Sequence, residues 1–268
     1  MGRLSLMAMV TDSFLRKLVS QLDDENTIGL TLGGSIARDE GNRFSDVDII
    51  RYLRVVPENK VDADALRFVD GFLVSAHGSS VEEEAANLLR PHRAIWVVPG
   101  LRQARILLDK DGSVTRLIES ARNFHWPDLQ PAADAFASWQ LCGLAEEIYK
   151  ILGGLDAQSE SKIAYALISL LFDLMEILLV QRGVLVPTEN AYFDMAQATA
   201  GRDSDWTRQL RLAMGLDPFP PDRPVYVTRG LAALNLYRLT AELMADILRP
   251  AEAAVVQRTL TVITEAGY

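Results

Sequence analysis

A glycine-rich turn between two apolar segments constrains the fold of this chain more than any other feature. The apolar segment Ile28 to Leu32 leads directly into Gly33-Gly34-Ser35. After a polar spacer a second apolar segment begins, and Asp46 and Asp48 occupy alternate positions at its start. Alternate residues of a strand point to the same face of its sheet. The pattern therefore predicts two carboxylates side by side on one face.

Two adjacent carboxylates repel each other unless a cation lies between them. Mg2+ is the expected cation, because it prefers oxygen ligands and keeps positions open for phosphate oxygens. Glycine amides can approach a phosphate closely, and the Ser35 hydroxyl and a helix beginning near Ile36 would add to the same site. The pattern thus predicts a cradle for a metal-bound triphosphate. The plainer alternative is a glycine turn followed by a strand with two solvated acids.

Length and charge limit the classes of function. A chain of 268 residues is longer than one ordinary domain. The two prolines of Trp126–Pro131 suggest a linker, so we expect one domain at 1–128 and a second, helical domain at 129–268. The net charge of −9 argues against nucleic acid as a partner and suits a small cationic substrate.

A cytoplasmic protein without a membrane span is expected from the remaining composition. The lone cysteine, Cys142, cannot form an intramolecular disulfide or a thiolate zinc site by itself. The longest apolar run, Ile163 to Val180, has the length of a membrane span but contains Asp173 and Glu176. Because two acids near a bilayer centre are costly, the run predicts a buried helix of a soluble bundle.

The predicted fold class is α+β, with a small mixed sheet and helices first and an all-α helical bundle second. In the first half, strands are predicted at 27–32, 47–56 and 72–76, helices at 5–21 and 62–69, and a β-prone segment at 94–98. In the second half, helical periodicity covers 132–152, 161–181, 190–200, 205–214, 228–248 and 251–264.

Further candidate residues lie outside the turn. Glu146 and Lys150 are four residues apart, so they share one face of a helix. They form either a solvated ion pair or a general base and a phosphate contact. The third predicted strand offers Ser75 and His77 but no acid beside the aspartates, and the nearest acids are Glu82 to Glu84. The three histidines lack the spacing of a metal site.

The Gly-Ser turn, the spacer and the Asp-Val-Asp strand together resemble the signature of the polymerase-β-like nucleotidyltransferase superfamily. With Glu146 and Lys150, the pattern is most similar to the aminoglycoside nucleotidyltransferases of the kanamycin type, although Ala37 stands where that type has glycine. The resemblance implies that Asp46 and Asp48 bind Mg2+ and that Glu146 deprotonates the acceptor hydroxyl. It implies that the triphosphate is bound by Gly34, Ser35, Arg38, Ser45 and Lys150.

The expected function is therefore Mg2+-dependent transfer of AMP from ATP, or another nucleoside triphosphate, to a hydroxyl of a small, aminoglycoside-like acceptor. Such an activity would confer antibiotic resistance, and a homodimer is a further expectation from the resemblance. Two alternatives stay open. One is a weak or inactive nucleotidyltransferase-like binding or antitoxin-type module, which the lack of a third carboxylate favours. The other is an enzyme that attaches AMP to a protein hydroxyl.

Overall fold

The computed structural model describes residues 10–59 and 63–268. The chain divides into two compact units, Met1–His125 and Trp126–Tyr268. The described part of the first unit contains a mixed sheet with helices, and the second unit is helical throughout. The predicted α+β class is therefore confirmed.

The first unit is built on a five-stranded sheet in the order β3-β4-β2-β1-β5. Strands β2 and β4 are parallel, and every other neighbouring pair is antiparallel. The strands are β1 (Thr27–Leu32), β2 (Val47–Leu53), β3 (Ala65–Val69), β4 (Phe72–Ser79) and β5 (Arg105–Asp109). The helices described in this unit are α1 (Asp12–Leu22), α2 (Gly34–Ala37), α3 (Val81–Asn87), α4 (Pro91–Gln103) and α5 (Ser113–Arg122).

One face of the sheet packs into an apolar core with α1. Thr11 begins this helix by accepting a hydrogen bond from the Phe14 amide, which satisfies a free amide of the first turn. Because side chains alternate along a strand, Val47 and Ile49 enter this core while Asp48 lies on the opposite face. The core residues of α1 and of the central strands include Leu15, Leu18, Leu30, Leu32, Val74 and Ala76.

The opposite face is covered at the end away from Asp48. A Cβ atom on Gly29 would lie 2.6 Å from the Val114 side chain, so α5 packs directly on β1 there. Tyr52 is fully buried, and burial raises its pKa to about 12. The Ser79 hydroxyl donates to Glu84 of α3. Helices α3 and α5 therefore close this end of the face.

Two segments of the first unit differ from the sequence-based prediction. The predicted helix at 62–69 is in fact strand β3, and position 62 itself lies outside the described residues. Asp70 and Gly71, both with positive φ, turn β3 back onto β4, and this pairing determines the conformation. The β-prone segment at 94–98 lies in α4, where Pro91 occupies the first turn, a position that favours helix initiation. A short apolar run does not distinguish a buried helix from a buried strand.

The first predicted helix is shorter than the apolar pattern suggests. It was expected over 5–21, whereas α1 begins at Asp12 and ends at Leu22. Positions 5–9 of that prediction lie outside the described residues.

The second unit consists of packed helices. They are α6 (Gln130–Gly143), α7 (Ala145–Asp156), α8 (Glu160–Gln181), α9 (Tyr192–Ala200), α10 (Asp205–Met214), α11 (Val225–Leu243) and α12 (Pro250–Glu265), with short 3-10 turns at Trp126–Leu129, Glu189–Ala191 and Ala245–Ile247. The single helix predicted over 132–152 is divided at Leu144, immediately after Gly143, a poor helix former.

Helix α8 is the one helix among residues 10–59 and 63–268 whose length and apolar composition would suit a membrane crossing. Of its most apolar window, 61% is buried inside the protein. Long apolar core helices of soluble proteins have the same properties, so this finding is weak evidence for a span.

Candidate functional site

The glycine turn and Asp48 are fitted to each other. The Gly33 amide donates to the Asp48 backbone oxygen at 2.8 Å, which extends the pairing of β1 and β2 into the turn. Gly34 has a φ of +64°, and a Cβ atom there would lie 1.9 Å from Asp48 Oδ2. Only glycine can therefore occupy this position without displacing the carboxylate. The Asp48 side chain lies directly on the turn, as the sequence pattern predicts.

Asp46 and Ser45 stand immediately before β2. Asp46 is partly buried and precedes Val47, the first residue of the strand. The Asn42 amide donates to the Ser45 hydroxyl at 2.9 Å, and the Asn42 side chain accepts from the Phe44 amide at the same distance. These local bonds order the loop before β2, which carries Ser45 and Asp46.

The donor set around the two aspartates suits Mg2+ on a phosphate. Among the residues described, no group of three or more histidine, cysteine, aspartate or glutamate side chains could enclose a metal. Mg2+ is usually held by one or two carboxylates together with water and substrate phosphates. Asp46 and Asp48 supply that number of carboxylates, and the Gly34 conformation keeps the Asp48 carboxylate beside the turn.

Ser35 and Arg38 also belong to this turn. The Ser35 carbonyl accepts from the Glu40 amide at 2.9 Å, which closes the loop after α2. The Arg38 guanidinium donates to Glu40 at 2.8 Å and to the Gln103 side chain at 3.4 Å. The Arg38 side chain is only 16% exposed. Its observed contacts tie the loop to the end of α4.

A histidine–aspartate pair lies on the same face of the sheet as Asp48. In the parallel ladder, Asp48 pairs with Ser75 and Ile50 pairs with His77, so these residues share a face. Asp64, just before β3, places Oδ1 2.7 Å from His77 Nδ1. Sequence reasoning missed this pair, although the alternation of Ser75 and His77 on the third predicted strand was a usable signal.

In the helical unit, the structure pairs Lys150 with Glu147 and not with the predicted Glu146. Lys150 Nζ lies 2.5 Å from Glu147 Oε1, and this hydrogen bond is the main reason that the pKa of Lys150 is raised. Glu146 is exposed. Both glutamates precede the lysine by about one turn, so sequence spacing alone does not separate them.

Glu147 has the more enclosed environment of the two glutamates. Its side chain is 14% exposed, and its Oε2 atom is buried with no hydrogen-bond partner among the residues that the structure describes. Asp173 of α8 is near enough to be affected, because its pKa is raised first by burial and then by the charge of Glu147. Helices α7 and α8 therefore bring two carboxylates and one lysine together within the helical unit.

A shallow pocket of about 430 Å³ adjoins Lys150 between α7 and α8. The Lys150 ammonium lies 5.6 Å from the centre of the Tyr165 ring, within the range of a cation–π contact. The other lining residues are Tyr149, Gly153, Ser161 and Lys162.

Comparisons with known proteins identify the fold. No protein-family model and no curated protein matches the sequence. Among solved structures, a nucleotidyltransferase-like protein from Exiguobacterium sibiricum 255-15 is similar, with a TM-score of 0.51 at 15% sequence identity. The match covers 85% of this chain and 73% of that one. The chain therefore has a nucleotidyltransferase-like fold.

Proposed function

We propose that the protein transfers AMP from ATP to a hydroxyl of a small acceptor in a Mg2+-dependent reaction. The observation that carries the proposal is the fit of the Asp48 carboxylate onto the Gly34 turn. A carboxylate held against a glycine turn supplies a metal ligand beside amides that can approach phosphate oxygens. The nucleotidyltransferase-like fold supports the same class of reaction.

Each group of residues at the turn has a role in the proposed AMP transfer. The acceptor oxygen attacks the α-phosphorus and forms a new P–O bond, while the bond to pyrophosphate breaks and its electrons leave with pyrophosphate. Bound Mg2+ would offset the charge that develops on the phosphates. Asp46 and Asp48 would hold that ion. Backbone amides at Gly34 and the hydroxyls of Ser35 and Ser45 orient the triphosphate.

The remaining roles rest on the resemblance to the kanamycin-type enzymes. It assigns a phosphate contact to Arg38 and Lys150 and the removal of the acceptor proton to Glu146. In the structure Arg38 contacts Glu40, and Lys150 contacts Glu147. Phosphate binding by Arg38 would therefore compete with its contact to Glu40, and we propose that the triphosphate replaces that contact.

The acceptor is proposed to be small and cationic, with aminoglycosides as the first class to test. The net charge of −9 supports a cationic ligand over an anionic one. Within the helical unit, burial and then the negative charge of Glu147 raise the pKa of Asp173, and this concentration of negative charge supports a ligand that carries amines.

Pyrophosphate release tests this function. The purified protein is incubated with ATP and Mg2+ and with kanamycin A, lincomycin or a dialysed cell extract, and products are checked by mass spectrometry for one added AMP. We expect release with at least one acceptor and none with Asp48→Asn. Release only with extract would exclude the antibiotic acceptors, and a protein product would identify AMP transfer to a protein. No release under any condition would contradict the proposal.

Nucleotide binding without turnover is the second candidate function. It is favoured by the donor set, because the described residues contain no group of three or more side chains that could hold a metal and Ser75 occupies the position beside Asp48 on β4. This function predicts stabilisation of the protein by ATP with Mg2+, abolished by Asp48→Asn, but no pyrophosphate release with any acceptor.

A further inference from the structure

Asp48 lies on β2, and different strands flank β2 on its two sides. The Gly34 turn follows β1 on one side of β2, and β4 and then β3 lie on the other side. If the turn holds the β- and γ-phosphates, pyrophosphate leaves on the β1 side. In-line attack requires the nucleophile to approach from the side opposite to the leaving group. The acceptor hydroxyl is therefore expected over β4.

The site-facing residues of β4 are consequently the ones nearest to the acceptor. Ser75 lies beside Asp48, and His77 follows two residues later on the same face. From the standard spacing of strands and residues, the Cα atoms of Asp48 and His77 are about 8 Å apart. A separation of this size leaves room for a hydroxyl between a metal-bound phosphate and the imidazole.

Asp64 is held in place to orient the imidazole. Its Oδ1 atom lies 2.7 Å from His77 Nδ1 and also accepts the Gly78 amide at 3.1 Å. A Cβ atom on Gly78 would lie 2.6 Å from Ala63 Cβ, so glycine at this position allows the chain before β3 to come close enough. The pair thus depends on backbone packing as well as on its own hydrogen bond.

This arrangement has a chemical consequence for His77. A carboxylate that accepts Nδ1–H fixes the tautomer in which Nε2 carries a lone pair and can take a proton. The same carboxylate then stabilises the imidazolium that forms. The side chains of His77 and Asp64 are 51% and 45% exposed, so a substrate can reach them.

We propose that His77, oriented by Asp64, removes the proton from the acceptor hydroxyl, in place of Glu146. The inference rests on the proposed AMP transfer. The Nε2 lone pair takes the hydroxyl proton as the acceptor oxygen bonds to the α-phosphorus, and pyrophosphate leaves with the electrons of the broken bond. The imidazolium then returns its proton to water.

The test compares His77→Gln, Asp64→Asn and Glu146→Gln with the wild-type protein. Transfer is assayed with ATP and Mg2+ and with kanamycin A, lincomycin and dialysed cell extract in parallel. General base catalysis contributes about 100-fold to 10,000-fold, so His77→Gln should lower kcat by at least about 100-fold with little change in the KM for ATP. Asp64→Asn should also lower kcat, by up to about 10,000-fold, because an asparagine amide can hold the imidazole in the wrong tautomer.

Two further measurements separate a chemical role from a structural one. Free imidazole should restore part of the activity of His77→Ala but none of the activity of Asp48→Asn. Nitrogen NMR of the wild-type histidine should show the proton on Nδ1, and Asp64→Asn should redistribute it between the two nitrogens. Thermal unfolding with ATP and Mg2+ verifies that each variant is folded and binds nucleotide.

The outcomes distinguish this inference from the proposed function. If the wild-type protein transfers AMP and His77→Gln retains its kcat while Glu146→Gln loses it, the base is Glu146 and the inference is overturned. If the wild-type protein transfers AMP to none of the acceptors, the proposed function itself fails. Loss of kcat in His77→Gln together with rescue by imidazole supports the assignment.

Discussion

The candidate residues of the sheet unit and those of the helical unit are held by different means. Asp48 is fixed by the backbone: its carbonyl accepts from Gly33, and its carboxylate fits against Gly34. Lys150 is fixed by a side-chain contact with Glu147 on an exposed turn of α7. The position of Asp48 resists change because the pairing register of β1 and β2 determines it. The Lys150 contact can rearrange when a ligand arrives, because it depends on long side chains.

The largest expected effect is on catalysis, from Asp48→Asn. This substitution removes one of two metal-binding charges without changing the size of the side chain. Loss of several kcal/mol of charge stabilisation corresponds to about a 1,000-fold lower rate of pyrophosphate release. The measurement is single-turnover AMP transfer, with Asp70→Asn, a distant exposed carboxylate, as the matched control. A rate within a few-fold of wild type would contradict a backbone-fixed metal site.

Substitution of Gly34 should have the next largest effect, on stability and activity together. Gly34→Ala places a Cβ atom 1.9 Å from Asp48 Oδ2 at a positive φ, so either the turn or the carboxylate must move. We expect a destabilisation of about 2 kcal/mol in urea unfolding.

Gly100→Ala is the matched control for this prediction. Gly100 lies within α4, and a Cβ atom there would meet no atom of the described residues within 4 Å. Alanine should stabilise the helix by about 0.5–1 kcal/mol, because it restricts the unfolded chain. Equal effects of the two substitutions would mean that the turn is not fitted to Asp48.

A smaller effect is expected in the helical unit from Glu147→Gln. The variant should lower the pKa of Lys150, because the Glu147 hydrogen bond is the main cause of its elevation, whereas Glu146→Gln should lower it less. The free energy of unfolding should change little, as is typical of a partly exposed ion pair. Titration of the lysine side chain by NMR measures the first quantity. A larger change in the pKa of Lys150 in Glu146→Gln than in Glu147→Gln would contradict the assignment of Glu147 as its partner.

The smallest effect on stability is expected from removing the ion pair between the side chains of Asp24 and Arg51 in the sheet unit. The Arg51 hydrogen bond is the largest cause of a pKa of about 2 at Asp24, below the usual 3.8. A lowered folded-state pKa contributes stability above the usual value, and that contribution disappears as the pH falls through about 4 toward 2. Asp24→Asn should lower the free energy of unfolding by about 0.5 kcal/mol at pH 7. It should also flatten the dependence of that free energy on pH across the acid range, as measured by urea unfolding at several pH values. An unchanged acid dependence would contradict the assignment.

The sequence was informative where strand alternation alone determines the geometry. Asp48 faces away from the core because Val47 and Ile49 face into it, and the adjacent glycines leave space for its carboxylate. This part of the candidate site could be predicted without knowledge of the neighbouring strands. The α+β class followed from the same change of periodicity along the chain.

Other features required tertiary contacts that the sequence does not reveal. The sequence predicts a helix over 62–69. In the structure this segment contains strand β3, and its apolar residues Leu66 and Phe68 lie on the exposed face, so the usual alternation of a half-buried strand is absent. Pairing with β4 makes the segment a strand and brings Asp64 to His77. This misassignment concealed the histidine–aspartate pair.

The partner of Lys150 was beyond prediction for a different reason. Residues three and four positions before it both lie on its helix face, and burial of Glu147 against α8 decides between them.

The most direct test of the central claim is the thermal unfolding of the wild-type protein and Asp48→Asn with ATP and Mg2+, and with ATP and EDTA. If the Gly34 turn and the aspartates hold a metal-bound triphosphate, ATP should raise the unfolding temperature of the wild type only when Mg2+ is present. Asp48→Asn should lose that increase while unfolding normally without ligand. An increase that is the same in both proteins, or none in the wild type, would contradict the account.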